Sequence, residues 1–208
     1  MQLSDTLFLV VIIIFSAIVH EVMHGVAADW LGDKTARYAG RLTLNPIPHI
    51  DPLGSIILPL VLAFSGSSFF FAWAKPVPYN PYNLKPGRFS EAIVAFAGPL
   101  SNILIALVIG GVIRLGTLGA QVDTFLFIVV VVNVMLFIFN LIPIPPLDGS
   151  KVLSALLPRG LRHGYDTWRS SLERNPFIGM GLVLVIVLIF GSVYGNLVYA
   201  LAQAIAGL

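Results

Sequence analysis

Apolar residues run through this chain in long stretches that are separated by short polar loops. A helix needs about 20 mostly apolar residues to cross a bilayer. Four stretches approach or exceed that length, at about residues 5–28, 91–113, 124–141 and 177–206. A fifth stretch, residues 56–73, is interrupted by Pro59 and by a serine and glycine cluster, which favours a re-entrant or interfacial segment over a straight span. The pattern predicts an all-α polytopic membrane protein with about four to six transmembrane helices.

The placement of basic residues predicts how these spans are oriented. Three basic residues follow the first stretch, three follow the broken one and five lie between the last two spans, whereas Arg114 alone lies between the middle spans. If residues 56–73 do not cross the membrane, eleven of the twelve basic residues fall on one side, which the positive-inside rule makes cytoplasmic. This favours four full spans with both termini outside, and a fifth crossing by residues 56–73 is the competing topology.

Composition supports a membrane protein and excludes several kinds of site. The 208 residues are 57% hydrophobic and 11% charged, against about 25% charged residues in soluble domains. The net charge of +2 is too small to indicate nucleic-acid binding. The absence of cysteine excludes disulfides, iron–sulfur clusters and thiolate zinc sites. We expect a single membrane-embedded domain over residues 1–208, with the first stretch retained as a span and not removed as a signal peptide.

Polar connections between the spans carry weaker signals. Residues 41–44 alternate in a way that suits a short β-strand, and with the loop at residues 75–86 they would present an unpaired edge at the cytoplasmic mouth. Such an edge holds an extended peptide by strand addition, whereas the alternative is an ordinary connector shaped by its prolines. Residues 151–157 predict a short amphipathic helix, and His163 is expected in a solvated polar loop.

The first span contains His20, Glu21 and His24, in the sequence HEVMH. On a helix the two histidines lie one turn apart on the same face, so both imidazoles can bind one metal ion. Glu21 follows the first histidine, where the H-E-x-x-H pattern places a general base. Ionisable groups in a bilayer cost several kcal/mol unless they pair or bind something. The cluster therefore predicts a metal site, and a loop residue such as His49 is not expected to be a ligand.

A third ligand is expected from another helix at the same depth. The fourth span ends in NLIPIPPLDG, where three prolines prevent the helix from continuing and the chain is expected to become extended. Asp148 follows these prolines and, in the favoured topology, lies on the same side of the membrane as His20 and His24. A catalytic zinc site takes three protein ligands, which favours Asp148 as the third. The alternative is that Asp148 caps the helix that follows.

These motifs resemble those of the site-2 protease family of intramembrane zinc metalloproteases. The resemblance rests on HEVMH in the first span, NLIPIPPLDG after a later one, and the sequence from Gly98 to Asn102, which is similar to the family's G-P-x-x-N element. It implies a three-helix catalytic core in which His20, His24 and Asp148 hold one zinc ion and Glu21 activates water. The chain is similar to short family members that lack a PDZ or CBS domain.

The resemblance also implies what the protein acts on. The expected reaction is hydrolysis of a peptide bond within or near a transmembrane segment of a membrane-anchored protein, following an earlier trimming of that protein outside the membrane. Asn102 and Asn140 are expected substrate contacts, with interhelical hydrogen bonding as the alternative. Glycines at 179, 181, 191 and 195 permit close helix packing, either within the chain or in a homodimer.

A rival interpretation is a zinc transporter or membrane sensor that uses the same ligands without hydrolysis. This interpretation gives Glu21 no necessary role, and a transporter is expected to show paired repeats or a polar path through several spans. A catalytically inactive scaffold is disfavoured because the three expected ligands and the base are all present. We therefore expect a multi-pass enzyme of the cell membrane with its active site near the cytoplasmic side.

Overall fold

Helices and turns make up the regular structure of the chain. The computed structural model describes residues 3–51, 57, 61, 75–116 and 118–208. None of these described residues lies in a β-strand. The chain divides into two compact units, Met1–Leu84 and Lys85–Leu208.

Within the described residues, four helices are long and apolar enough to cross a membrane. They are Phe8–Trp30, Ser90–Arg114, Ala120–Asn140 and Phe177–Ala206. The predicted all-α polytopic fold and its four full-length apolar helices are thereby confirmed. The competing predictions for residues 56–73 concern a stretch that, apart from Ile57 and Val61, lies outside the described residues. The prediction of a single domain over residues 1–208 stays a prediction.

The first unit is built around one long helix, α1, Leu3–Trp30. At about 1.5 Å per residue, its 28 residues extend about 42 Å, which exceeds the apolar thickness of a bilayer, about 30 Å. Beyond α1, Gly32 has a φ of 109°, a value that favours glycine, so the chain can turn sharply. A short helix, α2, Thr35–Tyr38, follows, and Ile47–His49 and Pro81–Asn83 form single 3₁₀ turns.

The described residues of the second unit form five helices: α3 Ser90–Arg114, α4 Ala120–Asn140, α5 Asp148–Leu156, α6 Arg159–Arg174 and α7 Pro176–Ala206. Helix α3 packs against α4, α5 and α7, and α4 packs against α7. Small and β-branched side chains from α3, α4 and α7 form the buried apolar core of this unit. They are Ala106, Ile113, Val130, Val134, Val198, Ala202 and Ala206.

Helices α3 and α7 approach each other closely near their C-terminal ends. A Cβ on Gly110 would lie only 2.9 Å from the carbonyl oxygen of Ile205, so glycine is required at this crossing. The Arg114 guanidinium donates to the carbonyl oxygen of Ile205 at 2.8 Å and also to that of Ala204. Because the last carbonyls of a helix lack intrahelical donors, Arg114 satisfies the end of α7 while it joins the two helices.

The predicted strand at residues 41–44 is wrong, because this segment forms irregular bends. The Thr43 hydroxyl accepts a hydrogen bond from the Asn45 N–H at 3.2 Å, and the Asn45 side chain accepts one from the Ile47 N–H at 3.1 Å. Such local bonds from side chain to backbone offer the chain an alternative to a sheet ladder. Alternation along the sequence was therefore outweighed by turn-forming side chains.

The polar loop predicted around His163 is also wrong, because His163 is an exposed residue of helix α6. Apolar and aromatic side chains recur along this segment at helical spacing. They are Leu161, Tyr165, Trp168 and Leu172. This period of three and four residues marks one face of an amphipathic helix, and its polar face explains why the segment resembled a loop.

Candidate active site

The histidine pair predicted from the sequence lies on one face of α1. His20 and His24 are 5% and 8% exposed, and their Nε2 atoms are 3.0 Å apart. The two rings meet edge to face, with their centroids separated by 4.6 Å and their planes at 88°. Since the residues are one turn apart, the helix itself brings the two imidazoles together.

This arrangement fits a divalent metal ion. One ligand atom from each of His20, Glu21 and His24 can be chosen so that all three lie within 4.8 Å of one another. Zinc binds imidazole nitrogens at about 2.0–2.1 Å, which places two nitrogens of a tetrahedral site about 3.3 Å apart. The observed Nε2 separation of 3.0 Å is close to that value. Imidazole nitrogens are also among the ligand atoms that zinc prefers.

The Glu21 carboxylate is held by a backbone group from elsewhere in the first unit. Its Oε2 accepts a hydrogen bond from the Val77 N–H at 2.9 Å. Val77 is 5% exposed, and a Cβ on Gly25 would lie 2.8 Å from its Cγ1. Glycine one residue after His24 therefore lets the chain around Val77 approach α1 beside the histidine pair.

Residues 75–80, which we call the strap, contain this Val77 contact, and Arg41 and His49 anchor their first residue. The Arg41 guanidinium donates to the Lys75 carbonyl oxygen at 2.7 Å, and the Lys75 N–H donates to the His49 carbonyl oxygen at 2.9 Å. The His49 Nε2 atom is 2.9 Å from the carbonyl oxygen of Thr43, and His49 is 2% exposed. These contacts give His49 a structural role, and it does not belong to the metal-ligating cluster found among the described residues.

Asp33 anchors the other end of the strap. Its carboxylate accepts hydrogen bonds from the Asn80 N–H at 2.6 Å, the Asn83 side chain at 3.0 Å and the Thr35 hydroxyl at 2.5 Å. Burial by itself raises the pKa of Asp33, but the hydrogen bonds from Thr35, Asn80 and Asn83 outweigh it and lower the pKa below the usual 3.8. Asp33 is therefore ionised at neutral pH.

The second unit contains the other predicted ligand, Asp148. Helix α4 ends at Asn140 as expected, but residues 141–147 form a series of turns and bends and not the extended segment predicted. A Cβ on Gly149 would lie 2.2 Å from the Leu141 carbonyl oxygen, so glycine allows this compact turn. Asp148 is the first residue of α5, whose N-cap is Leu147, so the alternative role of Asp148 as N-cap is not observed.

Tyr165 on α6 supports the same turn. Its hydroxyl donates to the Pro143 carbonyl oxygen at 2.9 Å. Burial raises the pKa of Tyr165 to about 12, so the phenol remains protonated and can donate at neutral pH. The side chain of a helix that the sequence did not reveal thus fixes the segment that precedes Asp148.

Asn102 and Asn140 both use their amide groups within the second unit. The Asn102 Nδ2 donates to Asn133 Oδ1 at 2.9 Å, and Asn102 and Asn133 are both fully buried. The Asn140 Nδ2 donates to the Leu136 carbonyl oxygen at 3.0 Å, one turn back in the same helix. Asn133, which carries no motif, is therefore the interhelical partner of Asn102.

The geometry of the histidine pair and Glu21 indicates a class of protein. A buried pair of imidazoles with an adjacent carboxylate, on a helix that can span a membrane, is the arrangement expected of a membrane-embedded metallohydrolase. The model of peptidase family M50 matches residues 109–167. No solved structure matches the chain.

Three relatives support a more specific assignment, because all three are named as zinc metalloproteases. YwhC of Bacillus subtilis is 38% identical over 164 residues, which cover 74% of this chain and 71% of that protein. Rip2 of Mycolicibacterium smegmatis is 31% identical over 139 residues, covering 65% of this chain and 52% of that protein. MJ0392 of Methanocaldococcus jannaschii is 32% identical over 113 residues, covering 54% of this chain and 32% of that protein.

The chain belongs to peptidase family M50, the site-2 protease family, and is a multi-pass membrane metalloprotease. The resemblance inferred from HEVMH, the Gly98–Asn102 element and NLIPIPPLDG is thereby confirmed at the level of the family. The chain spans about half the length of Rip2 and about a third of the length of MJ0392.

Proposed function

We propose that the protein hydrolyses a peptide bond within or near a transmembrane segment of a membrane-anchored protein. In this proposal His20, His24 and Asp148 hold one zinc ion and Glu21 is the general base. The observation that carries it is the buried pair of Nε2 atoms 3.0 Å apart, with the Glu21 carboxylate beside them on a membrane-spanning helix. The zinc metalloproteases among the relatives support zinc as the metal.

His20, His24 and Asp148 would hold the zinc ion, which would supply polarisation of the scissile carbonyl and a lowered pKa for the attacking water. Glu21 accepts a proton from the attacking water and then donates it to the nitrogen of the leaving amine. The Val77 N–H fixes one oxygen of the Glu21 carboxylate and leaves the other for this proton. A hydrocarbon environment around α1 excludes bulk water and strengthens these electrostatic interactions.

Asp148 is proposed as the third ligand because catalytic zinc sites use three protein ligands and leave one position open. Two features of the second unit support this role. The Gly149 turn and the Tyr165 hydrogen bond hold the segment before Asp148 in a defined conformation. Asp148 is also half-buried at the start of α5.

We further propose that the site opens to the cytoplasmic side and acts in regulated proteolysis. The excess of basic residues in the loops that follow α1 and precede α7 supports this orientation. A helical substrate has to unwind before cleavage, so an earlier trimmed single-span regulator or a residual signal peptide is the expected substrate. Asn102 and Asn140 are proposed contacts for that unwound peptide, and a homodimer through the open faces of Gly191 and Gly195 stays a prediction.

The experiment that tests this function is co-expression with a panel of truncated single-span proteins in bacterial membranes. The chain and its Glu21→Gln variant are compared for cleavage, and metal content is measured on both purified proteins. We expect the parent to cleave at least one substrate inside its span, and the variant to keep its zinc and cleave none. Zinc transport that persists in both forms without cleavage by either would favour the transporter interpretation instead.

A further inference from the structure

Near its centre, the strap (residues 75–80) contacts Glu21, the proposed general base. The Val77 N–H lies 2.9 Å from Glu21 Oε2, although the two residues are far apart in the sequence. A carboxylate on a helix can adopt several rotamers. A backbone donor on a fixed segment selects one of them without adding another charge beside the metal ligands. The orientation of Glu21 therefore depends on where the strap lies.

Both ends of the strap are fixed by charged side chains that are themselves buried. Arg41, 7% exposed, donates to the Lys75 carbonyl oxygen at 2.7 Å. Asp33, with no exposed surface, accepts from the Asn80 N–H at 2.6 Å. Burying a charge is costly unless it is well hydrogen-bonded. The first unit accepts this cost at both ends of one six-residue segment.

Two prolines in the strap determine which of its residues can donate a backbone hydrogen bond. Pro76 and Pro78 flank Val77 and have no N–H, and neighbouring N–H groups in an extended chain point to opposite edges. The N–H groups of Lys75 and Val77 bind the His49 carbonyl oxygen and Glu21, respectively. The edge on which Pro76 and Pro78 lie has no N–H donor at these positions. This lack of donors disfavours strand addition by a substrate at that edge and favours the interpretation of the segment as an ordinary connector.

We propose that the strap positions the Glu21 carboxylate for catalysis, and that Arg41, His49 and Asp33 are positioning residues that hold the strap in register. This inference rests on the proposed function, because that function gives Glu21 its role as the base. The positioning residues lie outside the cluster of His20, Glu21 and His24. They act by keeping the Val77 N–H within hydrogen-bond distance of Glu21.

The first test removes the N–H and little else. Val77→Pro removes the donor, and Pro78 already biases residue 77 towards the β and polyproline II conformations, the second of which proline adopts. Val77→Ala loses similar packing against Gly25 but keeps the donor. We expect kcat of Val77→Pro to fall about ten- to hundredfold below that of Val77→Ala, because partners that orient site residues typically contribute that much. KM and zinc content should remain within about twofold, since substrate contacts and ligands are untouched.

The second test loosens the upstream anchor. Arg41→Ala should lower kcat by about tenfold, and Arg41→Lys should recover part of the loss because it restores one donor to the Lys75 carbonyl. Arg37→Ala is the matched control, since Arg37 lies near Arg41 in the sequence but forms its ion pair with Asp29, at 2.6 Å. We expect this control to leave kcat, KM and zinc content unchanged.

A third readout does not depend on activity. Amide hydrogen exchange of peptides covering residues 75–80 is measured in detergent for the parent, Arg41→Ala and Arg37→Ala. We expect exchange in the strap to accelerate at least tenfold in Arg41→Ala and not in Arg37→Ala, because a lost anchor allows local opening. Unchanged exchange in Arg41→Ala would show that Arg41 does not hold the strap and would overturn the inference.

The outcomes separate this inference from the proposed function. If the parent cleaves, Glu21→Gln does not, and Val77→Pro retains the kcat of Val77→Ala, the strap inference is wrong and the function stands. If cleavage by the parent survives Glu21→Gln, the proposed function fails and the inference fails with it. A fall in kcat for Val77→Pro and Arg41→Ala, at constant KM and zinc content, supports both.

Discussion

His20 and His24 illustrate why single residues in a membrane helix carry so much information. Each would be costly inside a bilayer without a partner, yet both are less than 10% exposed and their nitrogens face each other. A metal ion bound by both imidazoles would offset this cost. Glu21 differs from them, because it is half-buried and bound by the Val77 N–H. The proposed ligands and the proposed base are thus held by different contacts, although His20 and Glu21 are adjacent in the sequence.

Asp33 provides a stability prediction with a defined pH dependence. Its pKa in the folded protein lies below the usual 3.8, so it stabilises the fold above that pH and this stabilisation is lost as pH falls through the folded pKa. We expect Asp33→Asn to lower the free energy of unfolding by about 1–3 kcal/mol at pH 7, because an amide cannot accept all the hydrogen bonds of the carboxylate.

The measurement for Asp33 is the melting temperature in detergent between pH 3 and pH 7. The difference between the parent and Asp33→Asn should shrink below about pH 4, the range in which a carboxylate becomes protonated. Glu173→Gln is the control, since Glu173 is more exposed and its nearest ion pair is 3.8 Å long. A constant difference at all pH values would contradict the role assigned to the Asp33 charge.

Asn102 and Asn133 allow the proposed substrate contact to be separated from packing. Alanine at either position breaks the same 2.9 Å hydrogen bond, so both variants should lose a similar stability of about 0.6–2 kcal/mol. If Asn102 contacts substrate, only Asn102→Ala should raise KM, by about three- to tenfold. Equal KM values for the two variants would assign Asn102 to helix packing alone.

At the scale of elements, the turn between α4 and α5 depends on a close approach that only glycine permits. A Cβ on Gly149 would overlap the Leu141 carbonyl, at 2.2 Å, whereas one on Gly111 would meet nothing within 4 Å. We expect Gly149→Ala to destabilise the protein by about 1–3 kcal/mol and to weaken zinc binding through Asp148. Gly111→Ala, the matched control within a helix, should be neutral or slightly stabilising.

Thermal unfolding and zinc affinity, measured together, test the role of Gly149. A variant that loses stability but binds zinc like the parent would show that the turn does not hold a ligand. A Gly149→Ala variant as stable as Gly111→Ala would show that the turn has room for a side chain.

Which elements could be predicted follows from the range of the interactions that form them. The four spans and the HEVMH face are set by local apolarity and by helical spacing, so the sequence alone predicted them. Helix α6 has an equally local signal in the spacing of Leu161, Tyr165 and Trp168. It was not predicted because its arginine-rich polar face is also typical of a solvated loop. The strand predicted at residues 41–44 was wrong for a different reason. The alternation of side chains there is outweighed by hydrogen bonds from backbone N–H groups to the Thr43 and Asn45 side chains.

The remaining parts of the site could not be predicted from the sequence because they involve backbone groups or distant partners. The donor to Glu21 is a backbone N–H, which every residue but proline has. The prolines at 76 and 78 limit which residues can donate, but the sequence does not indicate that Val77 donates to Glu21. The pairing of Asn102 with Asn133 joins two helices whose register is set by packing across the whole unit. Proximity of Asp148 to the histidine pair stays a prediction from topology and family resemblance.

At the scale of the whole molecule, the four spans and the basic loops predict a topology that the absence of cysteine makes easy to test. Single cysteines at Tyr38, Leu118 and His163 would report three loops or interfacial segments, and each of these residues is exposed. Only Leu118→Cys should react with a membrane-impermeant maleimide on intact cells, because it lies in the loop with a single basic residue. Labelling of Tyr38→Cys from outside would contradict the cytoplasmic placement of the site.

The most direct test of the central claim is a titration of zinc back into the chelated, purified protein, with cleavage of a single-span substrate recorded against zinc bound per chain. The proposed site predicts that cleavage is absent without metal, rises in proportion to bound zinc and saturates at one ion per chain. It also predicts that Glu21→Gln binds the same single ion and cleaves nothing. Cleavage by the metal-free chain, or a Glu21→Gln variant as active as the parent, would contradict the account.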